Sequence, residues 1–400
     1  MAPQQAPSIV SNDSSQRRAS KVSYRRQRSQ SPTEKSSTQY RSRNIADANV
    51  FVDQTPEPPL DVMELLMHIF GVSVLEDIGR ASYDHSTSRS LVIQNKTDEL
   101  AEKYCSKSRQ MAKDCAGEGE WKSHLLTGLM EPISELLSET LKLSASVAWI
   151  PELRPSPPSI EEILGSEPPL SNSTGPITSA AAFQMPTPLT APTFPQTPIL
   201  STSSIAPTDT TNDDPNRISV PKPDITVGLA YTSFDRLQRK ILWDLQGNSR
   251  VLSEPHQSRI GLHFPFLILE AKGLATGSNM VGAQNQAAVG GACALGILRD
   301  LQLTAQGCIT CATDDQPRLR QMMFSVVTEG PIHEMWVHYG IEEEFHMTVL
   351  RIWRTTFSKD AREFVQALGK ILEWGSCEFK GSVLKALDVY GQALRKRRVE

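Results

Sequence analysis

The chain has 400 residues, with 41 Lys and Arg against 45 Asp and Glu, a formal net charge of -4 and 27 prolines. That near balance gives the whole molecule no nucleic-acid signature and leaves basic residues to be sought in local clusters. Six cysteines, at positions 105, 115, 293, 308, 311 and 377, are too sparse for the disulfide framework of a small secreted domain, and no apolar run approaches the roughly 20 residues of a transmembrane helix or follows Met1 as a leader would. The expectation is a soluble intracellular protein with reduced thiols and no membrane partner. Its length could hold two or three average domains, but the prolines and long Ser/Thr tracts point to one medium domain with unstructured attachments.

Residues 1–55 read as a disordered basic tail, with Arg17, Arg18, Lys21, Arg25, Arg26, Arg28, Arg41 and Arg43 outnumbering a few acids. Such a segment has too little apolar surface to offset its ordering entropy. Residues 56–110 read as a helical lead-in. Leu60, Met63, Leu66, Met67 and Phe70 fall at helical spacing, and Gly71 follows as a stop.

From residue 111 to 392 the pattern is that of one folded domain. Trp121, Leu125, Leu129, Ile133 and Leu136 form a helical stripe, which Pro132 is expected to kink because it removes a backbone donor. Ser144 to Ile150 is the candidate first strand, with Val147 and Trp149 on one face. The domain is then interrupted at 151–216 by a Pro/Ser/Thr-rich stretch read as a disordered insertion. Pro223-Asp224 opens a second strand. The connection from Asp224 to Glu270 is compatible with a short helix or with an extended excursion.

Residues 264 to 272, Phe-Pro-Phe-Leu-Ile-Leu-Glu-Ala-Lys, form a short apolar run that reads as a buried strand ending in charge. Alternation puts Phe266, Ile268, Glu270 and Lys272 on one side and Leu267, Leu269 and Ala271 on the other. After a Gly-bounded loop, the Ala-rich helix from about Ala283 to Asp300 carries Gly290-Gly291, a pair costing about 1 kcal/mol per glycine that signals close packing on the sheet. Three strand-like runs follow, Met322 to Thr328, Met335 to Tyr339 and Phe345 to Trp353, then two amphipathic helices and a basic end at 393–400.

Pro-Asp at one strand, Glu-x-Lys at the next and Gln on the following helix resemble the PD-(D/E)XK nuclease superfamily. The runs FPFLILEAKG, NQAAVGGACAL and FSVVTEGPIHEMWVHY are similar to a nuclease-like domain of fungal proteins. The likeness is specific from about Pro221 to Tyr339. It implies a restriction-endonuclease-like α/β core, a mixed central sheet flanked by helices. It also implies a metal-dependent phosphodiesterase acting on nucleic acid, DNA foremost, with Asp224 and Glu270 holding Mg²⁺ or Mn²⁺. In that reading Lys272 positions water and offsets phosphate charge, Gln286 orients it with Gln284 as runner-up, and Glu120 is a further acid from the first core helix. A different class is a catalytically inactive module of the same fold that binds nucleic acid or protein. The clusters at both ends suit nuclear import.

His333 and His338 are five apart, whereas a helical zinc pair is four apart, so packing is the expected role. Cys308 and Cys311 lack the second pair of a zinc site. No phosphate loop and no nucleophile elbow occurs.

Overall fold

The computed structural model describes residues 37–54, 57–71, 88–157, 218–273, 279–307 and 321–396. Its centre is a seven-stranded mixed sheet in the order β1-β7-β6-β5-β4-β3-β2. The strands are β1 (Val50–Val52), β2 (Leu141–Ala145), β3 (Ile225–Ala230), β4 (Leu262–Lys272), β5 (Met322–Glu329), β6 (Ile332–Ile341) and β7 (Glu344–Arg354). β1 with β7 and β4 with β5 run parallel, and the other neighbours antiparallel. The helices are α1 (Ser37–Tyr40), α2 (Leu60–Phe70), α3 (Ser88–Lys113), α4 (Glu118–Leu125), α5 (Glu131–Glu135), α6 (Arg236–Gly247), α7 (Met280–Gln306), α8 (Ser358–Trp374) and α9 (Lys380–Lys396). The α/β class and the helix-flanked mixed sheet expected from the sequence are thus both present.

One apolar layer joins α8 and α9 to the sheet through Phe266, Leu267, Leu269, Phe324 and Val337, while the other lies under α7 around Ile268, Ala287, Met323 and Val327. Gly290 and Gly291 make the second layer possible. A methyl on Gly290 would come within 2.6 Å of Ile268, and one on Gly291 would strike the His338 ring.

Several readings of the sequence are changed or sharpened by the structure. The basic tail does not extend to residue 55: α1 and a π-turn at Arg41–Ile45 lead into β1, and Ile45, Ala48, Val50 and Val52 are buried. Their few apolar side chains were hidden by the arginines around them. The first strand of the domain is Leu141–Ala145; Trp149 makes only an isolated bridge to His256. At Pro132 the helix is not interrupted: a π-turn, Leu126–Met130, precedes the proline and helical backbone continues through it to Glu135.

Phe266 does not share a face with Ile268. Val227 pairs with Leu267 but Leu229 with His263, so two extra β4 residues bulge, with Phe264 at φ 47°, and the alternation is reset. Phe266 instead packs on Trp374 and Phe379.

The connection between β3 and β4 contains α6, whose cap is reciprocal: Asp235 accepts from the Gln238 backbone and the Gln238 side chain accepts from that of Asp235. The basic end begins later than expected, since α9 runs to Lys396. Residues 1–36, most of the insertion, and Cys308 and Cys311 lie outside the described residues. His333 and His338 are buried on separate partners, Tyr104 Oη at 2.7 Å and Ser325 Oγ at 2.8 Å, as a packing role requires.

Candidate functional site

Antiparallel pairing of Ile225 with Leu269 sets Asp224, the residue before β3, opposite Glu270 near the end of β4. Asp224 Oδ2 accepts the backbone N–H of Ala271 at 2.9 Å, which fixes its carboxylate between Glu270 and Lys272. Its Oδ1 takes the Lys122 ammonium at 2.8 Å, and Lys122 also donates to Ser146 Oγ. Lys272 Nζ meets Glu118 Oε1 at 3.3 Å. Glu118 and Lys122 are four apart on α4 and so reach the sheet end from one helical face.

This approach is close because Gly273 has no side chain. A methyl there would strike the backbone of Gly117 and Glu118.

Glu270 is 3 % exposed. Burial pushes its carboxyl well above the usual range, Asp224 and Glu118 push the same way, and Lys272 and Lys122 oppose them. A buried carboxylate of this kind is costly as a lone charge and favours a cation beside it. Among the described residues no group of three or more His, Cys, Asp or Glu is placed to hold a metal ion. The donor set at the sheet end is two carboxylates, Asp224 and Glu270, hard oxygens of the kind Mg²⁺ accepts while retaining waters.

Asp224, Glu270 and Lys272, grouped by the sequence reading, lie together in the structure, and Lys122 and Ser146, which that reading did not include, join them. Glu120 is not at the cluster: its Oε2 accepts the Gly117 N–H at 2.9 Å as a helix cap, and Glu118 is the α4 acid that faces Lys272. Gln286 is exposed on α7, one turn before Gly290, which lies over Ile268 and Pro223. Gln284 is tied elsewhere. Its amide donates to Glu334 Oε2 at 2.7 Å and its carbonyl accepts from Arg41 at 2.8 Å. The signal that could have found Lys122 is its i, i+4 spacing from Glu118 in a helix already suspected of entering the site.

A domain of unknown function, DUF7924, matches residues 186–387, just over half of the chain. The chain belongs to the DUF7924 family. Asp224, Glu270, Lys272, Gln284 and Gln286 fall within the DUF7924 segment; Glu118, Lys122 and Ser146 fall before it. No curated protein and no solved structure matches the chain. No helix among the described residues is long and apolar enough to cross a membrane.

Proposed function

We propose that this DUF7924 protein is a metal-dependent phosphodiesterase that cleaves nucleic acid, DNA foremost, at the Asp224, Glu270 and Lys272 cluster. The observation that carries the reading is Glu270, a buried carboxylate near the end of β4, beside a second carboxylate and two lysine ammoniums. Asp224 and Glu270 would hold Mg²⁺ or Mn²⁺. When bound, such an ion supplies a Lewis acid and a water of lowered pKa. Lys272, 13 % exposed in its side chain, would turn from Glu118 to the phosphate and offset charge as it develops there. Glu118 keeps that ammonium aimed across the site before substrate arrives. Gln286, on the helix above, would contact the strand or its water.

Exposed Arg395 and Lys396 at the end of α9, together with the basic leader, support entry to the nucleus.

A second reading, an inactive binding module, draws on the same ion pairs: Lys272 with Glu118 and Lys122 with Asp224 neutralise one another without a ligand. Incubation with plasmid, linear duplex, single strand and RNA in Mn²⁺ separates the two. Cleavage lost in Lys272→Ala supports the nuclease; no cleavage of any substrate, with no Mn²⁺ binding, supports the module.

A further inference from the structure

At the other end of β4 a cavity of about 210 Å³ opens between α6 and the loop before the strand. His263 and Glu270 are roughly 23 Å apart along the strand, so this region is distinct from the carboxylate cluster. Helix α6 has two opposite faces here. Gln238, Ile241, Leu242 and Leu245 are buried, whereas Arg236, Arg239, Lys240 and Trp243 recur at i, i+3, i+4 and i+7 on the outer side. That stripe is flanked by Asp235 and Asp244 but contains no acid.

The cavity lies against this stripe. Its wall includes Tyr231 and Trp243, joined by a hydrogen bond from Trp243 Nε1 to Tyr231 Oη at 3.0 Å. Arg259 lies 4.8 Å from the Trp243 ring and Arg239 lies 5.6 Å from that of Tyr231. Among the described residues none of Arg236, Arg239, Lys240 and Arg259 has an acidic partner at ion-pair distance. With Arg259 over one face, Trp243 is still 60 % exposed, which leaves the other face open. At the floor, Glu254 is buried and its Oε1 is taken by the N–H groups of Ile260 and Gly261 at 2.6 and 2.7 Å, which leaves Oε2 as an acceptor.

We infer that this surface binds single-stranded nucleic acid, with one base stacked on Trp243 at the mouth of the cavity and the backbone laid along α6. Cations without carboxylate partners, an open indole face and a buried acceptor together call for a ligand that is anionic, flat and bears N–H donors. In a duplex the base faces are stacked and the Watson–Crick edges paired, so only an unpaired base offers both to a protein. Every common base carries an N–H donor on that edge, so Glu254 Oε2 accepts from any of them and the site selects strandedness rather than sequence. The cavity is smaller than the roughly 300–1,000 Å³ of sites for larger ligands, which suits one base. From Arg236 to Trp243 the helix rises roughly 10 Å, more than one phosphate covers, which favours a strand over a free nucleotide. Arg236, Arg239, Lys240 and Arg259 take the phosphates. None of these residues belongs to the carboxylate cluster, so the inference stands apart from the nuclease reading and is tested without metal.

The test is tryptophan-fluorescence titration of the full chain in EDTA with oligo(dT), oligo(U), a blunt duplex and a fully abasic strand of the same length, and free dTMP. The tryptophans other than Trp243 are at most 6 % exposed, so quenching reports this site. At least one of the two single strands should quench saturably and bind about tenfold or more tighter than the duplex, the abasic strand and dTMP. Trp243→Leu, followed by anisotropy of the labelled strand, should weaken binding about tenfold at an unchanged melting temperature, and Trp243→Phe should recover part of the loss. Arg236→Gln should make the slope of log affinity against log salt shallower by about 0.7, the share of one phosphate on a single strand. No saturable quenching by either single strand, equal affinity for any of the other three ligands, wild-type affinity in Trp243→Leu, or an unchanged salt slope in Arg236→Gln would overturn it.

Discussion

Lys272 and Lys122 are both ammoniums beside carboxylates, yet the proposed chemistry gives them opposite consequences. Lys272→Ala removes the positive group that faces a developing phosphate charge, a loss of about 3 kcal/mol or a hundredfold in rate, while Mn²⁺ affinity persists. Lys122 instead occupies Asp224 Oδ1, where a cation would bind, so Lys122→Gln should tighten Mn²⁺ binding several-fold by calorimetry; weaker binding would show that Lys122 holds Asp224 in place for the metal. Asp224→Ala should weaken metal binding and also cost stability, about 1–3 kcal/mol, because Ala271 N–H and Lys122 lose their acceptor. Gly273→Ala should lower the melting temperature and push α4 outward, since a methyl there meets the Glu118 backbone. Asp224, Glu270 and Lys272 were legible because each sits at a strand end marked by an abrupt change from apolar to charged. Lys122 was not, because its i, i+4 spacing from Glu118 marks a shared helical face without saying that this face turns toward the sheet end.

Among the elements, β4 was the most legible, as an apolar run too short for a helix, yet its bulge was not. The reset depends on how β3 pairs with it, a relation between distant segments that local alternation cannot contain. The β1 strap failed for another reason: Val50-Phe51-Val52 is three residues long and sits in arginine-rich sequence, so average composition outweighed it. Because Val50 is 3 % exposed and paired beside Phe345 of β7, Val50→Asp should destabilise the folded chain by several kcal/mol. An unchanged urea midpoint would mean that the strap contributes nothing to the fold. Arg41, hydrogen-bonded to Gln284 and Asn285 of α7, ties the same strap to the helix that carries Gln286.

For the molecule as a whole, buried histidines govern the response to acid. Burial holds His333 and His338 near a pKa of about 3 and His124, His256 and His263 near about 4, all below the ordinary value of 6.5. The unfolded chain takes up protons below pH 6.5 that the native chain refuses, so stability falls from about pH 6.5 toward pH 3–4. Glu270 acts in the opposite sense: its raised pKa adds stability that is present below 4.5 and lost as pH rises through the folded value. With five histidines against two raised carboxyls, Glu270 and the partly buried Asp300, the melting temperature should drop between pH 7 and pH 4.5, and His338→Asn should make that slope shallower, each refused proton being worth about 1.4 kcal/mol per pH unit. A flat profile would mean that the histidines are charged or solvated in the native state.

In the proposed nuclease, Asp224 and Glu270 would hold the metal and Lys272 would offset the phosphate charge, a division of roles at one sheet end. It is tested most directly by measuring Mn²⁺ affinity and Mn²⁺-dependent strand cleavage side by side in the wild type, Glu270→Ala and Lys272→Ala. Glu270→Ala should lose both, while Lys272→Ala should bind Mn²⁺ as well as the wild type and cleave at least a hundredfold more slowly. Wild-type cleavage by Lys272→Ala, or wild-type Mn²⁺ affinity in Glu270→Ala, would contradict it.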